Sequence, residues 1–243
     1  MVARRRIGVL VPSANSTVEV LSDDSGDPGA SVNMPRRLTM LVEHSGRRPT
    51  VAPSALVAPS AVVSGDVDVG AGTVVLPGAV VTAQGGAPVR IGDCCVVMEN
   101  AVIRGPGKYP TTIGSYVLIG PHAHVSGATI GNRVYIATGA AVFNGAVLEE
   151  GTVVAINAIV HIATRLVAGS FVPIGHIAFG DPARIVSSSE APALREEIAA
   201  LGFTKRVFGF DAKSLADPGA IEELCRRYSR SLLRHRDDQV VSP

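Results

Sequence analysis

Residues 51–63 read VAPSALVAPSAVV, so that a valine recurs at every sixth position and an alanine stands four places after Val51 and again after Val57. An α-helix repeats every 3.6 residues and a flat strand every two, and neither explains a period of six with two inward positions. A parallel β-helix explains it, because each unit of six can form one short strand and one bend. Three such units close one triangular coil.

The same repeat continues through most of the chain. The aliphatic position is filled by Val51, Val57, Val63, Val69, Val75, Val81, Ile91, Val97, Ile103, Ile113, Ile119, Val125, Ile130, Ile136, Val142, Leu148, Val154, Val160, Leu166 and Val172. The small companion position is filled by Ala55, Ala61, Thr73, Ala79, Cys95, Ala101, Ala123, Thr129, Ala140, Ala146, Thr152, Ala158, Thr164 and Ser170. Roughly twenty units predict about seven coils, stacked at the usual spacing of about 4.8 Å between strands.

Two insertions interrupt the spacing. Residues 84–88 (QGGAP) lie between Val81 and Ile91, and residues 105–110 (GPGKYP) lie between Ile103 and Ile113. Glycine and proline are typical of turns, so both insertions are predicted to protrude as loops.

The composition agrees with a β-helix and excludes several classes of protein. Hydrophobic residues make up 47% of the chain and aromatic residues only 4%, so the core is built from aliphatic side chains. No apolar run approaches the roughly 18 residues that span a bilayer, and a net charge of +1 gives no electrostatic basis for binding nucleic acid. Three cysteines, two of them adjacent, do not form a disulfide framework, so we expect a cytoplasmic protein.

The sequence divides into three regions. Residues 1–49 are predicted to be a largely irregular N-terminal extension, residues 50–186 the β-helix, and residues 187–243 a C-terminal helical segment. Helices are predicted at residues 190–201 and 218–234. One face of the second helix carries a stripe that we expect to pack on the flank of the β-helix: Ile221, Leu224, Cys225, Tyr228 and Leu232.

Three segments resemble the gamma-class carbonic anhydrase family. They are residues 49–69, residues 126–131 (SGATIG) and residues 180–184 (GDPAR). The resemblance covers about 140 residues, including the placement of the loops, and it implies a homotrimer of left-handed parallel β-helices with a metal site between subunits. The handedness is implied by this resemblance.

The zinc-binding histidines of that family correspond to other residues here. Aligning the repeats places Arg104, Pro121 and Ser126 at the three ligand positions. None of these side chains is a zinc ligand, since zinc takes His, Cys or carboxylate. The supporting positions also differ, being occupied by Thr82, Gln84, Met98 and Glu99. Carbonic anhydrase activity needs a metal that lowers the pKa of bound water, so we do not expect that activity or a cofactor at the inherited site.

Stacking of the coils predicts what replaces the metal. One column contains Arg104, Ser126, Phe143 and His161, and a second contains Glu99, Pro121 and Thr138. In the family, the two columns face each other across the trimer interface. Arg104 is therefore expected to supply a positive charge there and to pair with Glu99 of a neighbouring subunit, with Ser126 beside it.

Histidines provide two alternatives. His122 and His124 are two residues apart on a strand-like segment and are candidates for a relocated zinc site in a metal-dependent lyase. Hexapeptide-repeat acyltransferases use a histidine as general base beside acetyl-CoA, and His124 or His161 is the candidate for that role. His44, His176 and His235 are expected to be packing or surface residues. Of these functions we favour a trimeric scaffold or small-anion binder.

Residues 6–19 (RIGVLVPSANSTVE) resemble the first strand and loop of the maleate isomerase and arylmalonate decarboxylase family. One strand and one loop cannot build the active site of that α/β fold. We therefore expect residues 1–39 to be an appended segment, or translation to begin at Met34 or Met40.

Overall fold

A computed structural model describes residues 39–210 and 218–241, which belong to one compact unit. The strands are β1 Met40–Glu43, β2 Thr50–Val51, β3 Leu56–Val57, β4 Val62–Ser64, β5 Val67–Val69, β6 Val74–Val75, β7 Val80–Ala83, β8 Val89–Ile91, β9 Val96–Val97, β10 Val102–Gly105, β11 Thr111–Ile113, β12 Leu118–Ile119, β13 His124–Ser126, β14 Thr129–Ile130, β15 Tyr135–Ile136, β16 Ala141–Val142, β17 Val147–Leu148, β18 Val153–Val154, β19 Ile159–Val160, β20 Arg165–Leu166, β21 Phe171–Val172, β22 Ile177–Phe179, β23 Arg184–Val186 and β24 Gln239–Val241. The helices are α1 Arg195–Ala200, α2 Phe203–Phe208 and α3 Pro218–Leu232, with 3-10 helical turns at Ala191–Leu194 and Leu233–Asp237.

Every third strand stacks on the same face, which gives three parallel sheets. Sheet 1 contains β1, β4, β7, β10, β13, β16, β19 and β22, extended by antiparallel β24 at one end and β23 at the other. Sheet 2 contains β2, β5, β8, β11, β14, β17 and β20, and sheet 3 contains β3, β6, β9, β12, β15, β18 and β21. The seven coils in sheets 2 and 3 confirm the predicted fold, a parallel β-helix of the kind formed by left-handed hexapeptide repeats.

The core is the stack of aliphatic side chains that the period of six predicts. In sheet 1, Val81 pairs with Ile103, Ile103 with Val125 and Val125 with Val142, and all four side chains are fully buried. Three threonines at companion positions, Thr73, Thr152 and Thr164, are buried with their hydroxyls bonded to the backbone; Thr73 Oγ1, for example, donates to the carbonyl oxygen of Gly92 at 2.7 Å. A polar group can occupy the corner because it finds an acceptor there.

One companion position was predicted wrongly. Thr129 is exposed, and Ala128 is the buried small residue instead. Val125 and Ile130 are five positions apart instead of six, so the inward small position falls three residues after Val125 rather than four. The short coil at this level runs through Ser126 and Gly127, both of which are buried.

Both predicted loops are present and they lie against each other. Residues 84–88 connect β7 to β8, and residues 106–110 connect β10 to β11. The backbone N–H of Gly107 in the second loop donates to the carbonyl oxygen of Gln84 in the first at 3.1 Å. The loops therefore form one projection beside the ends of β7 and β10.

Sheet 1 begins ahead of the repeat. β1 pairs in parallel with β4, with Leu41 opposite Val63, and Leu41 is buried in the core. Leu41 precedes Val51 by ten residues, the spacing also seen across each loop, so the period of six does not identify it. Residues 6–19, which resemble a first strand and loop in sequence, lie outside the described residues.

The C-terminal helices pack less completely than their sequence predicts. Of the α3 stripe only Leu224 is buried, whereas Ile221 is 40% exposed and Cys225 is also exposed. β24 follows α3 and returns the chain to the first strand of sheet 1. Within the described ranges, no helix has the length and apolar character needed to cross a bilayer.

Candidate functional site

A cavity of about 380 Å³ lies between the flank of the β-helix and helices α2 and α3. Strands β10 and β13 contribute Arg104, His124 and Ser126 to its wall, and the first loop contributes Gln84. Phe203 from α2 and Tyr228 from α3 are among the residues that close it from the other side. The cavity thus lies between a cationic residue of the β-helix and a helical side that contributes both aromatic and arginine side chains.

The register of sheet 1 places these strand residues together. Arg104 is paired with Ser126, and the pairing of Val125 with Val142 and of Val142 with Val160 continues the column to Phe143 and His161. Each of these residues directly follows an inward aliphatic residue, and neighbouring strand residues face opposite ways. The predicted column of Arg104, Ser126, Phe143 and His161 is therefore confirmed.

Arg104 is half-buried and is held by neutral groups. Its Nη2 donates to Oε1 of Gln84 at 2.6 Å and to the hydroxyl of Tyr228 at 3.1 Å. Among residues 39–210 and 218–241 it forms no ion pair, whereas nearby Arg227 pairs with Glu223 at 2.6 Å. The positive charge of Arg104 is thus oriented at the cavity wall without a carboxylate partner in the described part of the chain.

Two histidines flank Phe143 on the same sheet. The ring centroids of His124 and Phe143 are 5.9 Å apart, those of Phe143 and His161 are 6.5 Å apart, and Phe203 contacts Phe143 edge-on. Burial lowers the pKa of both imidazoles, and the charge of Arg104 lowers that of His124 further. The two side chains are consequently biased towards the neutral form, which can accept a proton.

The cavity region also contains buried polar atoms without partners in the described structure. These are Nδ2 of Asn144, which lines the cavity, and Nδ1 of His161. An unpaired buried donor costs about 1–3 kcal/mol, so either atom would gain from a ligand or a water molecule.

The second predicted column lies at a different corner. The pairings of Leu118 with Val96 and with Tyr135 align Glu99, Pro121 and Thr138. Glu99 is half-buried and has no ion pair among the described residues. The two columns belong to separate edges of one subunit, so the predicted contact between Arg104 and Glu99 needs a second subunit.

The ligand positions do not fit zinc. Arg104, Pro121 and Ser126 provide no imidazole, thiolate or carboxylate. His122 lies exposed in a turn with a φ of 57°, whereas His124 lies on β13 beside Phe143. Within the part of the chain that the structure describes, these two histidines do not join a third metal-binding side chain.

Sheet 3 exposes a feature that the sequence analysis missed. Its outward residues are aligned in one column and all are apolar; we call them the apolar stripe: Leu56, Val74, Val96, Leu118, Tyr135, Val153 and Phe171. The matching column on sheet 2 is mostly polar: Thr50, Asp68, Arg90, Thr112, Thr129, Val147 and Arg165. The sequence does contain a signal for this stripe, because the residue directly before every third inward aliphatic position is apolar.

Comparison with known proteins agrees with this architecture. Residues 110–144 match the family described as bacterial transferase hexapeptide (six repeats). Gamma carbonic anhydrase 1, mitochondrial, from Arabidopsis thaliana is 34% identical over 145 residues, which cover 58% of this chain and 50% of that protein. The chain thus spans about half the length of this curated relative.

Solved structures that match the chain include a hexapeptide transferase family protein from Anaplasma phagocytophilum. Its identity is 26%, its TM-score is 0.36, and the match covers 66% of this chain and 93% of that chain. The UDP-N-acetylglucosamine acyltransferase of Francisella novicida has 16% identity, a TM-score of 0.43 and coverage of 78% and 86%. The chain is a hexapeptide-repeat protein. Among proteins of this kind, its sequence is similar to that of a gamma carbonic anhydrase.

Proposed function

We propose that this chain is a homotrimeric scaffold that binds a small carboxylate or another oxyanion beside Arg104 and has no carbonic anhydrase activity. The observation that carries the proposal is the guanidinium of Arg104, fixed at the cavity wall by Gln84 and Tyr228 and free of any ion pair in the described residues. A planar guanidinium matches a carboxylate with two parallel hydrogen bonds. The hydroxyl of Ser126, next to it in register, is a suitable second donor.

The surroundings of Arg104 favour an anion over a cation or a neutral ligand. Arg227 and Arg234 also line the cavity, and no Asp or Glu is among the lining residues. Arg104 is half-buried, and this strengthens its attraction for an anion because the effective dielectric is lower than in bulk water. The aromatic side chains of α2 and α3 limit the space to a small molecule.

The residues at the inherited metal positions support the absence of carbonic anhydrase chemistry. Three side chains that cannot bind zinc stand where the resemblance places three histidines, so no group is in place to activate water there. In this proposal the cationic charge of Arg104 occupies the region that a metal ion occupies in the carbonic anhydrases.

The apolar stripe supports the homotrimer. Seven aligned apolar side chains, among them Tyr135 at 42% and Phe171 at 57% exposure, form a continuous face that one subunit leaves open to water. Burying such a face stabilises an assembly by about 25 cal/mol per Å² of apolar surface. Because the Glu99 column directly follows the strands of sheet 3, association through this sheet would carry Glu99 towards a neighbouring subunit, where we propose that it approaches Arg104.

We further propose that the protein is cytoplasmic and that neither nucleic acid nor a membrane is its partner. Cys94, Cys95 and Cys225 are all free, as expected of a protein in the reducing cytoplasm. The name of the Arabidopsis relative places that protein in mitochondria, and we do not carry this location over to the present chain. A net charge of +1 favours neither nucleic acid nor an anionic membrane surface as a partner.

Calorimetric titration with acetate, bicarbonate and phosphate tests the anion site. Loss of a charged hydrogen bond costs about 1.5–3 kcal/mol, so Arg104→Gln is expected to weaken binding about tenfold to a hundredfold. Arg230→Gln is the matched control, because Arg230 is an exposed residue of α3 that does not line the cavity. Equal affinities in the two variants, or no binding of any of the anions, would reject the site.

Acyl transfer is the second candidate function. It is favoured because burial lowers the pKa of His124 and of His161, which leaves a neutral imidazole able to act as general base. The match of residues 110–144 to the bacterial transferase hexapeptide family also supports it. Acetyl-CoA should then raise the melting temperature of the chain and be consumed with an acceptor amine or alcohol. Loss of turnover in His124→Asn with retained folding would support this function over anion binding alone.

A relocated zinc site at His122 and His124 is the third candidate. Metal analysis of the purified protein tests it together with a carbon dioxide hydration assay. Stoichiometric zinc that disappears in both His122→Ala and His124→Ala would favour this alternative and overturn the proposal that Arg104 has taken the place of the metal.

A further inference from the structure

A second group of polar side chains lies where the C-terminal segment meets β1, and one of its members, His235, also lines the cavity beside Arg104. Nδ1 of His44 is 2.6 Å from Oδ1 of Asp238, and Nδ1 of His235 is 2.8 Å from Oδ2 of the same carboxylate. The two imidazole rings stack with centroids 4.3 Å apart. His44, expected to be a packing or surface residue, is only 3% exposed and takes part in a cluster with residues almost two hundred positions away.

The composition of this cluster is that of a transition-metal site. Two imidazole nitrogens and a carboxylate oxygen are ligands of Zn²⁺ and of similar divalent ions. The candidate ligand atoms of His44, His235 and Asp238 all lie within 4.8 Å of one another, and no other group of three metal-binding side chains does so within residues 39–210 and 218–241. The Nδ1 atoms of His44 and His235 both point at the carboxylate of Asp238. The three side chains therefore converge on one point, where a single ion can contact all of them.

The surroundings provide the second layer of contacts that such sites use. Nε2 of His44 is 3.3 Å from Oγ of Ser45. When Nδ1 binds a metal, the single proton of a neutral imidazole moves to Nε2, and the hydroxyl of Ser45 can accept its hydrogen bond. His235 is 33% exposed, which gives an ion an entry path and leaves a position for a water ligand.

We infer that His44, His235 and Asp238 form a binding site for Zn²⁺ or a related divalent ion that fastens the C-terminal segment to the β-helix. The site connects the end of β1 to the residues just before β24, and β24 pairs with β1 in the same region. The Nδ1-to-carboxylate distances of 2.6 and 2.8 Å are those of hydrogen bonds. Ligand atoms around a tetrahedral zinc are farther apart, so binding requires a small opening of the cluster.

The test is zinc titration of the full chain after removal of metals with a chelator, followed by calorimetry and by the melting temperature. We expect one ion per chain and a higher melting temperature in zinc. His235→Ala is the main variant because His235 is partly exposed. Removal of an outer-shell partner weakens metal affinity by at least about tenfold, so removal of His235, a direct ligand, should weaken zinc binding by more than that. His176→Ala is the matched control, because His176 lies outside the cavity and the cluster and its Nδ1 is 2.8 Å from the carbonyl oxygen of Ile174; this variant should bind zinc like the unmodified chain.

Cobalt gives a readout that does not depend on stability. Co²⁺ bound by the cluster should produce a visible absorption band that is absent in His235→Ala and in Asp238→Asn, while circular dichroism verifies that both variants are folded. No binding at micromolar zinc, or equal binding in His235→Ala, would show that the cluster is only a hydrogen-bonded contact. Binding lost in His124→Ala but kept in His235→Ala would assign the metal to the other candidate site instead.

Discussion

Nη2 of Arg104, on the flank of the β-helix, donates a hydrogen bond to the hydroxyl of Tyr228 on α3 at 3.1 Å. This contact joins two residues that are 124 positions apart in sequence, and it lies at the wall of the cavity. It therefore couples the orientation of the guanidinium to the docking of the helix.

Tyr228→Phe should weaken anion binding without preventing folding. The phenyl ring keeps the edge-on contact with Phe208, while Arg104 loses one of its two neutral partners. A neutral hydrogen bond contributes about 0.5–1.5 kcal/mol, so affinity should fall about twofold to tenfold in calorimetry. Tyr116→Phe, at an exposed turn outside the cavity, is the control and should leave affinity unchanged.

His161→Phe should stabilise the protein at neutral pH. Nδ1 of His161 is buried without a partner in the described structure, and the ring packs against Phe143 and Phe203. Replacing an unpaired polar group by an apolar ring of similar shape removes a cost of about 1–3 kcal/mol. Urea unfolding at pH 7.5 measures the change, and the exposed position in His122→Phe should show almost none. A lower stability of His161→Phe would mean that Nδ1 has a partner such as an ordered water.

Stability should decrease as the pH falls below the ordinary histidine range. Burial lowers the pKa of His124 and His161 in the folded state, so protonation favours the unfolded chain. This contribution is fully present above the unfolded pKa of about 6.5 and is lost as the pH falls through the lower folded values.

The double variant His124→Phe/His161→Phe isolates this effect. Carboxylates also titrate in acid, but they do so in both proteins, so the comparison between pH 7.5 and pH 5.5 subtracts their contribution. The double variant should lose less free energy of unfolding over this interval than the unmodified chain. Equal losses would show that neither imidazole titrates differently in the folded and unfolded states.

Tyr135→Asp should dissociate the proposed trimer. Tyr135 is the fifth of the seven residues of the apolar stripe, and a carboxylate there would be desolvated without a partner in the stripe on association. Light scattering coupled to size-exclusion chromatography should report a monomer. Thr129→Asp introduces the same charge on the exposed face of neighbouring sheet 2 and should leave the trimer intact. A trimeric Tyr135→Asp would place the subunit contact elsewhere.

The period of six was sufficient to predict the stacking of side chains far apart in sequence. Each coil returns the chain to the same face, so the inward residues Ile103, Val125 and Val142 lie opposite one another. The residues that directly follow them are aligned in the same way. The column from Arg104 to His161 followed directly. Only Thr129 was misassigned, at the coil that is one residue short.

The same repeat could not predict contacts made by segments that lack it. The amphipathic pattern of α3 predicts a buried stripe, but Leu224 alone is buried and Tyr228 instead reaches Arg104. The pairing of β1 with β24 and the meeting of His44 with Asp238 depend on how the chain returns after α3. No local periodicity encodes that return path.

The sequence by itself therefore determined the parallel β-helix, the coils built from its repeat and the columns that contain Arg104 and Glu99, since a period-six pattern of inward side chains is buried by stacking each coil on the next. Tertiary structure decided the cavity beside Arg104, the neutral partners of its guanidinium and the cluster of His44, His235 and Asp238. These features arise where the C-terminal helices and strand pack on the β-helix, and such packing depends on long-range complementarity of surfaces rather than on any repeat within the chain.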